Sequence, residues 1–339
     1  MNNIFVKSRL AGSAGVVGVG FLLLLTITTA QAQVRRGTFL PYSTVGLGVG
    51  TSSYYGDLAG YTTPLSSTFE LIRYHATGNY TRHFTPRFAA RASFTWARIV
   101  GDDYTLNNSG AKLGTQKFAR NLHFRNDLKE FAAIGIYKLV PDGRTADRRP
   151  QLSPYVFAGL AAVAHNPMAR TPEIDGGRWV RLQPLGTEGQ GNPGSDKPYS
   201  LVQLAIPLGF GVRYKLHPKW DVSAEVGFRL TTTDYLDDVS DRYADPNVLK
   251  DDIARAMANR SAEPTTARKG KDRTEGLRRF LAAEPYNIET NDPFVAIQQT
   301  PYGEPGSVRG NPAIKDSYLL GTIHINYILG STIKCPPIK

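Results

Sequence analysis

Four stretches of the chain alternate apolar and polar residues with a period of two. Phe88, Ala90, Ala92, Phe94 and Trp96 interleave with Ala89, Arg91, Ser93 and Thr95. Leu204, Ile206, Leu208, Phe210, Val212 and Tyr214 interleave with Gln203, Gly209, Gly211 and Arg213. Trp220, Val222, Ala224, Val226, Phe228 and Leu230 interleave with Asp221, Ser223, Glu225, Gly227 and Arg229. Leu319, Ile323, Ile325, Tyr327 and Leu329 do the same with Thr322, His324 and Asn326. Successive side chains of a strand point to opposite faces, so each stretch reads as a strand with one apolar and one small or polar face. With the weaker segments added, the pattern predicts eight strands near 43–52, 69–80, 88–99, 121–138, 155–164, 201–214, 220–233 and 317–330.

The connections between these strands alternate in length. Thr81–Pro86, Leu139–Pro154 and Lys215–Lys219 are short or turn-rich, whereas 53–68, 100–120, 165–200 and 234–316 are long. Barrels of the outer membrane show this asymmetry, with short periplasmic turns and long extracellular loops. A soluble up-and-down barrel such as a lipocalin would turn its apolar face inward and has no reason to alternate its loops. The expected fold is therefore all-β: an eight-stranded antiparallel transmembrane β-barrel with long extracellular loops. In the last loop, Asp245-Pro246 has the form of a helix start. It predicts a helix from Val248 to Met257, with a second from Arg273 to Ala283. The cluster Arg268, Lys269, Lys271, Arg273, Arg278 and Arg279 reads as a solvated loop face.

The N-terminus changes the compartment. Lys7 and Arg9 precede an apolar run from Val16 to Ile27, and Ala30-Gln31-Ala32 places small residues where a signal peptidase reads them. Residues 1–32 read as a cleaved export signal. Residues 33–339 then form one outer-membrane barrel domain, with the partly helical loop at 234–316. Beyond the signal no stretch is long and apolar enough to cross a bilayer as a helix. An exported chain can then span lipid only as a closed barrel, because lipid satisfies no backbone hydrogen bond. The single cysteine, Cys335, excludes an internal disulfide and a thiolate metal site. The formal charge of +11 suits anionic lipid headgroups, cell-wall polymers or acidic partners, and not nucleic acid, in an exported protein.

Candidate chemistry is sparse. His75, His83, His123, His165, His217 and His324 form no HExxH or other ligand spacing. No nucleophile elbow or phosphate-binding glycine loop is present. No His–Ser pair stands out of the kind that membrane-embedded lipid A deacylases carry on the lipid-facing rim. No catalytic, cofactor-binding or metal residue is assigned, and no cofactor is implied. Asp234, Asp237, Asp238 and Asp241 lack the spacing of a calcium loop, so their expected role is hydrogen bonding within the loop. Arg91, Glu130, Arg213, Glu225 and Arg229 are expected to point into the lumen. An eight-stranded barrel is just wide enough for side chains to fill, so these charges must pair with one another.

Four segments carry a family resemblance. Gly46-Leu-Gly-Val-Gly-Thr-Ser-Ser-Tyr-Tyr-Gly-Asp-Leu58, Arg120-Asn-Leu-His-Phe124, Leu182-Gln-Pro-Leu-Gly-Thr-Glu-Gly-Gln-Gly191 and Thr232-Thr-Asp-Tyr-Leu-Asp-Asp-Val-Ser240 resemble a family of Bacteroidota outer-membrane barrels. That family looks like the PorG-type component of the type IX secretion and gliding machinery. The resemblance implies a non-enzymatic outer-membrane barrel touching lipid and a periplasmic ring, built from a lipoprotein and its companion subunit. The chain departs from the pattern in its large 234–316 loop. It also departs in ending on Lys339, so that Tyr327 is the remaining aromatic candidate for a barrel-assembly signal. The short turns carry Arg82, Arg87, Arg144, Arg148, Arg149, Lys215 and Lys219, a basic rim from which Arg144, Arg148 and Arg149 are the candidate partner-docking residues. The alternative function is a surface adhesin or ligand-binding barrel that works through its long loops.

Overall fold

Each alternating stretch forms a strand hydrogen-bonded on both sides. A computed structural model describes residues 38–60, 64–107, 115–192, 195–283, 286 and 288–330. The expected export signal and Cys335 lie outside the described residues. The strands are β1 (Tyr42–Tyr55), β2 (Arg73–His83), β3 (Phe88–Asp102), β4 (His123–Lys138), β5 (Leu152–Ala164), β6 (Met168–Arg170), β7 (Trp179–Arg181), β8 (Val202–His217), β9 (Trp220–Thr231) and β10 (Ser317–Leu329). The sheet runs β3-β2-β1-β10-β9-β8-β5-β4, and a β3–β4 pairing closes it. All pairings are antiparallel. The result is a closed eight-stranded up-and-down barrel, as the alternation predicts. The hairpin β6–β7 stands on its rim through the pair Arg125↔Met168.

The barrel is apolar outside and polar within. Leu47, Phe131, Leu160, Phe210 and Ile323 face outward and are exposed, Leu47 by 75%. An apolar band this large on a monomer marks contact with a membrane or another protein. At the short-turn end it finishes in aromatic rings: Phe84, Phe88, Tyr137, Tyr214 and Trp220 are exposed, and Trp220 meets Tyr327 edge-on at 4.9 Å between centroids. Transmembrane barrels carry such a girdle at the membrane interface. Inward positions are small or polar. A Cβ on Gly211 would come within 2.6 Å of the Tyr155 ring, so the missing side chain is what lets Tyr155 cross the lumen.

Several element limits differ from expectation. Residues 64–70 form a helix, α1 (Pro64–Glu70), where the second strand was expected to begin. Proline suits the first helical turn, and Thr68 Oγ1 donates back to the Pro64 carbonyl. The fourth strand begins at His123 because α2 (Asp103–Asn107) and α3 (Gln116–Arg120) precede it, and Asn121 closes α3 with a left-handed φ of 60°. A register shift between Lys215 and His217 carries β8 further, leaving a turn at Pro218 and Lys219. In the last loop, Asp245 caps only a short 3-10 turn, Pro246–Val248. The helix there is α4 (Asp252–Ala258), capped by the Asp251 side chain. α5 (Thr274–Ala283) lies close to where it was expected and buries Leu277, Phe280 and Leu281. These pack with Ala119, Ala296 and Ile297, so the loops own a core separate from the barrel.

Candidate functional site, a sealed lumen beneath a loop cap

Arg229, Glu225 and Asp221 sit four residues apart on β9 and face inward, which spaces them by about 13 Å along the strand. Each anchors one tier of ion pairs. Nearest the loops, Arg229 Nε lies 3.3 Å from Glu130 Oε2, which also accepts a hydrogen bond from Tyr318 at 2.6 Å. In the middle, Arg91 meets Glu225 at 2.7 Å, with Tyr155 donating to the same carboxylate and His324 at 3.3 Å. At the short-turn end, Arg213 binds Asp142 at 2.5 Å and stands 3.8 Å from Asp221. The structure thus places Arg91, Glu130, Arg213, Glu225 and Arg229 all in the lumen, each beside an opposite charge. A cavity of about 30 Å³ borders His83, Arg91, Tyr155 and Arg213, and another of about 10 Å³ borders His75, Glu225 and Arg229. Each has room for about one water molecule. The lumen is a plug of side chains.

The turn between β4 and β5 closes the lower mouth. Asp142 inserts from it and accepts from Tyr42 at 2.7 Å, from Lys138 and from Arg213. Burial alone would raise the Asp142 carboxyl, but the hydrogen bond and charge of Arg213, with Lys138 behind it, hold it well below the usual range. Arg149 corrects an expectation. Of the three candidate docking residues, Arg144 and Arg148 are exposed. Arg149 is 3% exposed. It pairs with Asp221 at 2.8 Å and donates to the carbonyls of Ala146, His217 and Pro218. It pins the two turns together and offers nothing to a partner.

At the other end the long loops fold into a cap, and the four segments that carry the family resemblance meet there. Tyr54 Oη lies 2.6 Å from both Asp237 Oδ2 and Asp316 Oδ1. A phenol donates one proton, so one of these acids must hold a proton of its own for both contacts to be hydrogen bonds. Burial pushes Asp237 and Asp316 well above the usual carboxylate range, and neighbouring acids add to it. A Cβ on Gly56 would sit 1.9 Å from that phenol oxygen and 2.0 Å from Asp316, so only glycine fits. Asp238 accepts from Thr187 at 2.5 Å and Tyr199 at 2.6 Å, and burial moves it up to about 6. Asp234 accepts from Ser240 at 2.8 Å and is pushed up to about 7, again by burial. Asp234, Asp237 and Asp238 are thus consumed in loop order while the Asp241 side chain is exposed, and among the described residues no cluster of His, Cys, Asp and Glu could hold a metal ion.

Four arginines frame this cap. Arg120 forks onto Asp103 at 2.8 Å through both nitrogens and donates to the carbonyls of Asp57 and Arg309. Arg309 meets Glu188 at 2.8 Å and donates to the carbonyls of Asp238 and Ala258. Arg260 binds Glu263 and the Arg170 carbonyl. Arg273, expected on a solvated face, is 1% exposed. It donates to the carbonyls of Ser261, Glu263, Phe118 and Ala119, the last two at the C-terminal end of α3, where unpaired carbonyls attract cations. Burial lowers its guanidinium to about 10, still protonated at neutral pH. Of these framing residues, Arg120 stood in a resemblance segment. No pattern pointed to Arg309, whose partners lie far away in sequence, or to Arg260, which ties the nearby Glu263 to the distant Arg170 carbonyl.

The family pattern described as outer membrane protein beta-barrel domain matches residues 20–249. No curated protein matches the chain. Among solved structures, Ail, the attachment invasion locus protein of Yersinia pestis, shares 8% identity over 86% of this chain and 100% of its own, with a TM-score of 0.33. Ail bound to the heparin analogue sucrose octasulfate gives 8%, 85%, 99% and 0.33. Neisserial surface protein A gives 8%, 84%, 96% and 0.34. Likenesses this distant bear no argument about function.

Proposed function

The chain belongs to the outer membrane protein β-barrel domain family, and we propose that within it the protein is a non-enzymatic component of the type IX secretion machinery, docked on a periplasmic ring. The four resemblance segments supply the machinery. The observation that carries the docking mode is the short-turn face. Asp142 and Arg149 lock the β4–β5 turn from within, so the exposed Arg144 and Arg148 stand on a rigid base. Arg87 and Lys219 are exposed beside them. Such a face suits an acidic surface on the ring lipoprotein or its companion subunit, with electrostatics setting orientation more than affinity. The sealed lumen leaves no path for cargo through this barrel, which fits an anchoring role.

The adhesin alternative is not favoured. The buried arginines of the long loops, Arg120, Arg260, Arg273 and Arg309, are spent on loop carbonyls and acids and hold the cap together from within.

Replacing Arg144 and Arg148 by glutamate tests the reading. Recovery of ring subunits in pull-downs from outer membranes should fall several-fold, with the barrel still shifting mobility on SDS gels only after boiling. Deletion of 245–310 should leave that recovery in place. Ring association that survives the reversals and is lost with the loop would overturn the docking mode.

A further inference from the structure

The outer wall is not uniform around its circumference at the long-loop end. On β5, β8 and β9 the outward positions toward the loops are apolar and exposed, among them Leu160, Leu204, Ile206 and Leu230. On β3 and β4 the same level turns cationic. Arg98 lies over the Trp96 ring at 5.7 Å and forks onto Asp127 at 2.6 and 2.8 Å. Lys129, opposite Trp96 in the register, is exposed. From the cap, Arg268 reaches down to Asp102, the last residue of β3, at 3.4 Å, and Lys269 beside it is exposed. Two carboxylates balance part of this charge, Asp127 on Arg98 and Asp102 on Arg268, Asp102 accepting also from Thr105 and the Tyr104 N–H, while Lys129 and Lys269 add charge beside them.

Like charges gathered beside a low-dielectric surface repel unless an anion joins them. The level of the cluster is that of a membrane interface: Tyr74 and Trp96, 5.7 Å apart, sit where amphipathic rings collect. Just below, Phe94 and Phe131 pair across β3 and β4 and are exposed. With the long loops outside the cell, this is the outer leaflet. We infer that the Arg98–Lys129–Arg268 patch seats the phosphate-bearing headgroup of an outer-leaflet lipid, its acyl chains lying along Phe94 and Phe131. The lipid bridges cap and wall, since Arg268 belongs to one and Lys129 to the other.

Native mass spectrometry of the purified barrel in detergent micelles doped with bisphosphorylated lipid A tests this. Retention of the lipid should weaken by about tenfold in Lys129→Gln/Arg268→Gln, and comparably when wild-type protein meets dephosphorylated lipid A. Lys129→Gln alone, at an exposed position, should fall between, and Lys129→Arg should retain the lipid fully. Heat-modifiable gel mobility verifies that each variant is closed. Equal retention of both lipid forms, or unchanged retention by the double variant, would overturn the assignment. So would loss of the lipid to excess inorganic phosphate, which would make the patch a site for a free anion.

Discussion

The lumen and the cap both bury many charges, yet they satisfy them differently. In the lumen, arginines face carboxylates: Arg91 with Glu225, Arg229 with Glu130, Arg213 with Asp142. In the cap, arginines also take backbone carbonyls, and the acids of 234–238 take hydroxyls and N–H groups. The closed ladder explains the contrast. Every strand is paired on both sides, so barrel backbone groups have their partners and inward charges turn chiefly to one another and to tyrosine hydroxyls, though Arg229 also donates to the Gly227 carbonyl. The loops fold irregularly, leave carbonyls unpaired, and draw arginines in to satisfy them. Buried charge follows the backbone's needs first.

The largest effect should come from breaking a lumen pair. Glu225→Ala leaves Arg91 buried without its carboxylate and should destabilise the barrel by roughly 3–5 kcal/mol, read as a lower urea midpoint for loss of the heat-modifiable form. Arg91→Met/Glu225→Leu removes both charges and should restore much of that loss. An unchanged midpoint for Glu225→Ala would mean the middle tier carries no paired charge.

Arg273→Ala tests the other half of the contrast. It withdraws donors from four carbonyls, but water can replace some of them, so a loss of about 2–3 kcal/mol is expected. The loss should be local. Protease cleavage within 245–316 should quicken while the barrel keeps its boiling-dependent shift. If Arg273→Ala lowers the barrel's urea midpoint as far as Glu225→Ala does, cap and lumen unfold as one unit and the distinction fails.

How much of this was readable beforehand follows the same division. Four of the eight barrel strands and the inward placement of Arg91, Arg213, Glu225 and Arg229 come from alternation, which each of those strands carries in its own residues, and the weaker segments and alternating loop lengths supply the other four strands. Asp221 was on the polar face of its stretch, but its partner Arg149 was taken for a docking residue, because a turn arginine looks solvated until the neighbouring turn is packed on it. The cap was opaque. Tyr54 and Asp316 lie 262 positions apart and Arg120 and Arg309 189 apart, and no local period encodes such pairs. Arg273 sat in a basic run indistinguishable by composition from Arg278 and Arg279, which are exposed.

The gentlest probe is pH, and it should move the two ends in opposite directions. Asp238, near 6, and Asp234, near 7, are raised above their unfolded values by burial. Between the unfolded and folded values the native cap binds more protons than the unfolded chain. Its stability is therefore fully present below about pH 4 and is lost as pH rises through 6 to 7. Asp142 at the short-turn end is depressed by Arg213 and Lys138 against the cost of burial. Its contribution is complete above the unfolded value and is lost only as pH falls through the acid range. Going from pH 5 to pH 8, amide hydrogen exchange corrected for its intrinsic pH dependence should quicken several-fold in 234–240 and stay level in 139–151. Cap exchange that stays level over this interval would show that Asp234 and Asp238 are ionised in the native cap. The hydroxyls of Thr187, Tyr199 and Ser240 would then be serving anions, and the cap would balance charge as the lumen does.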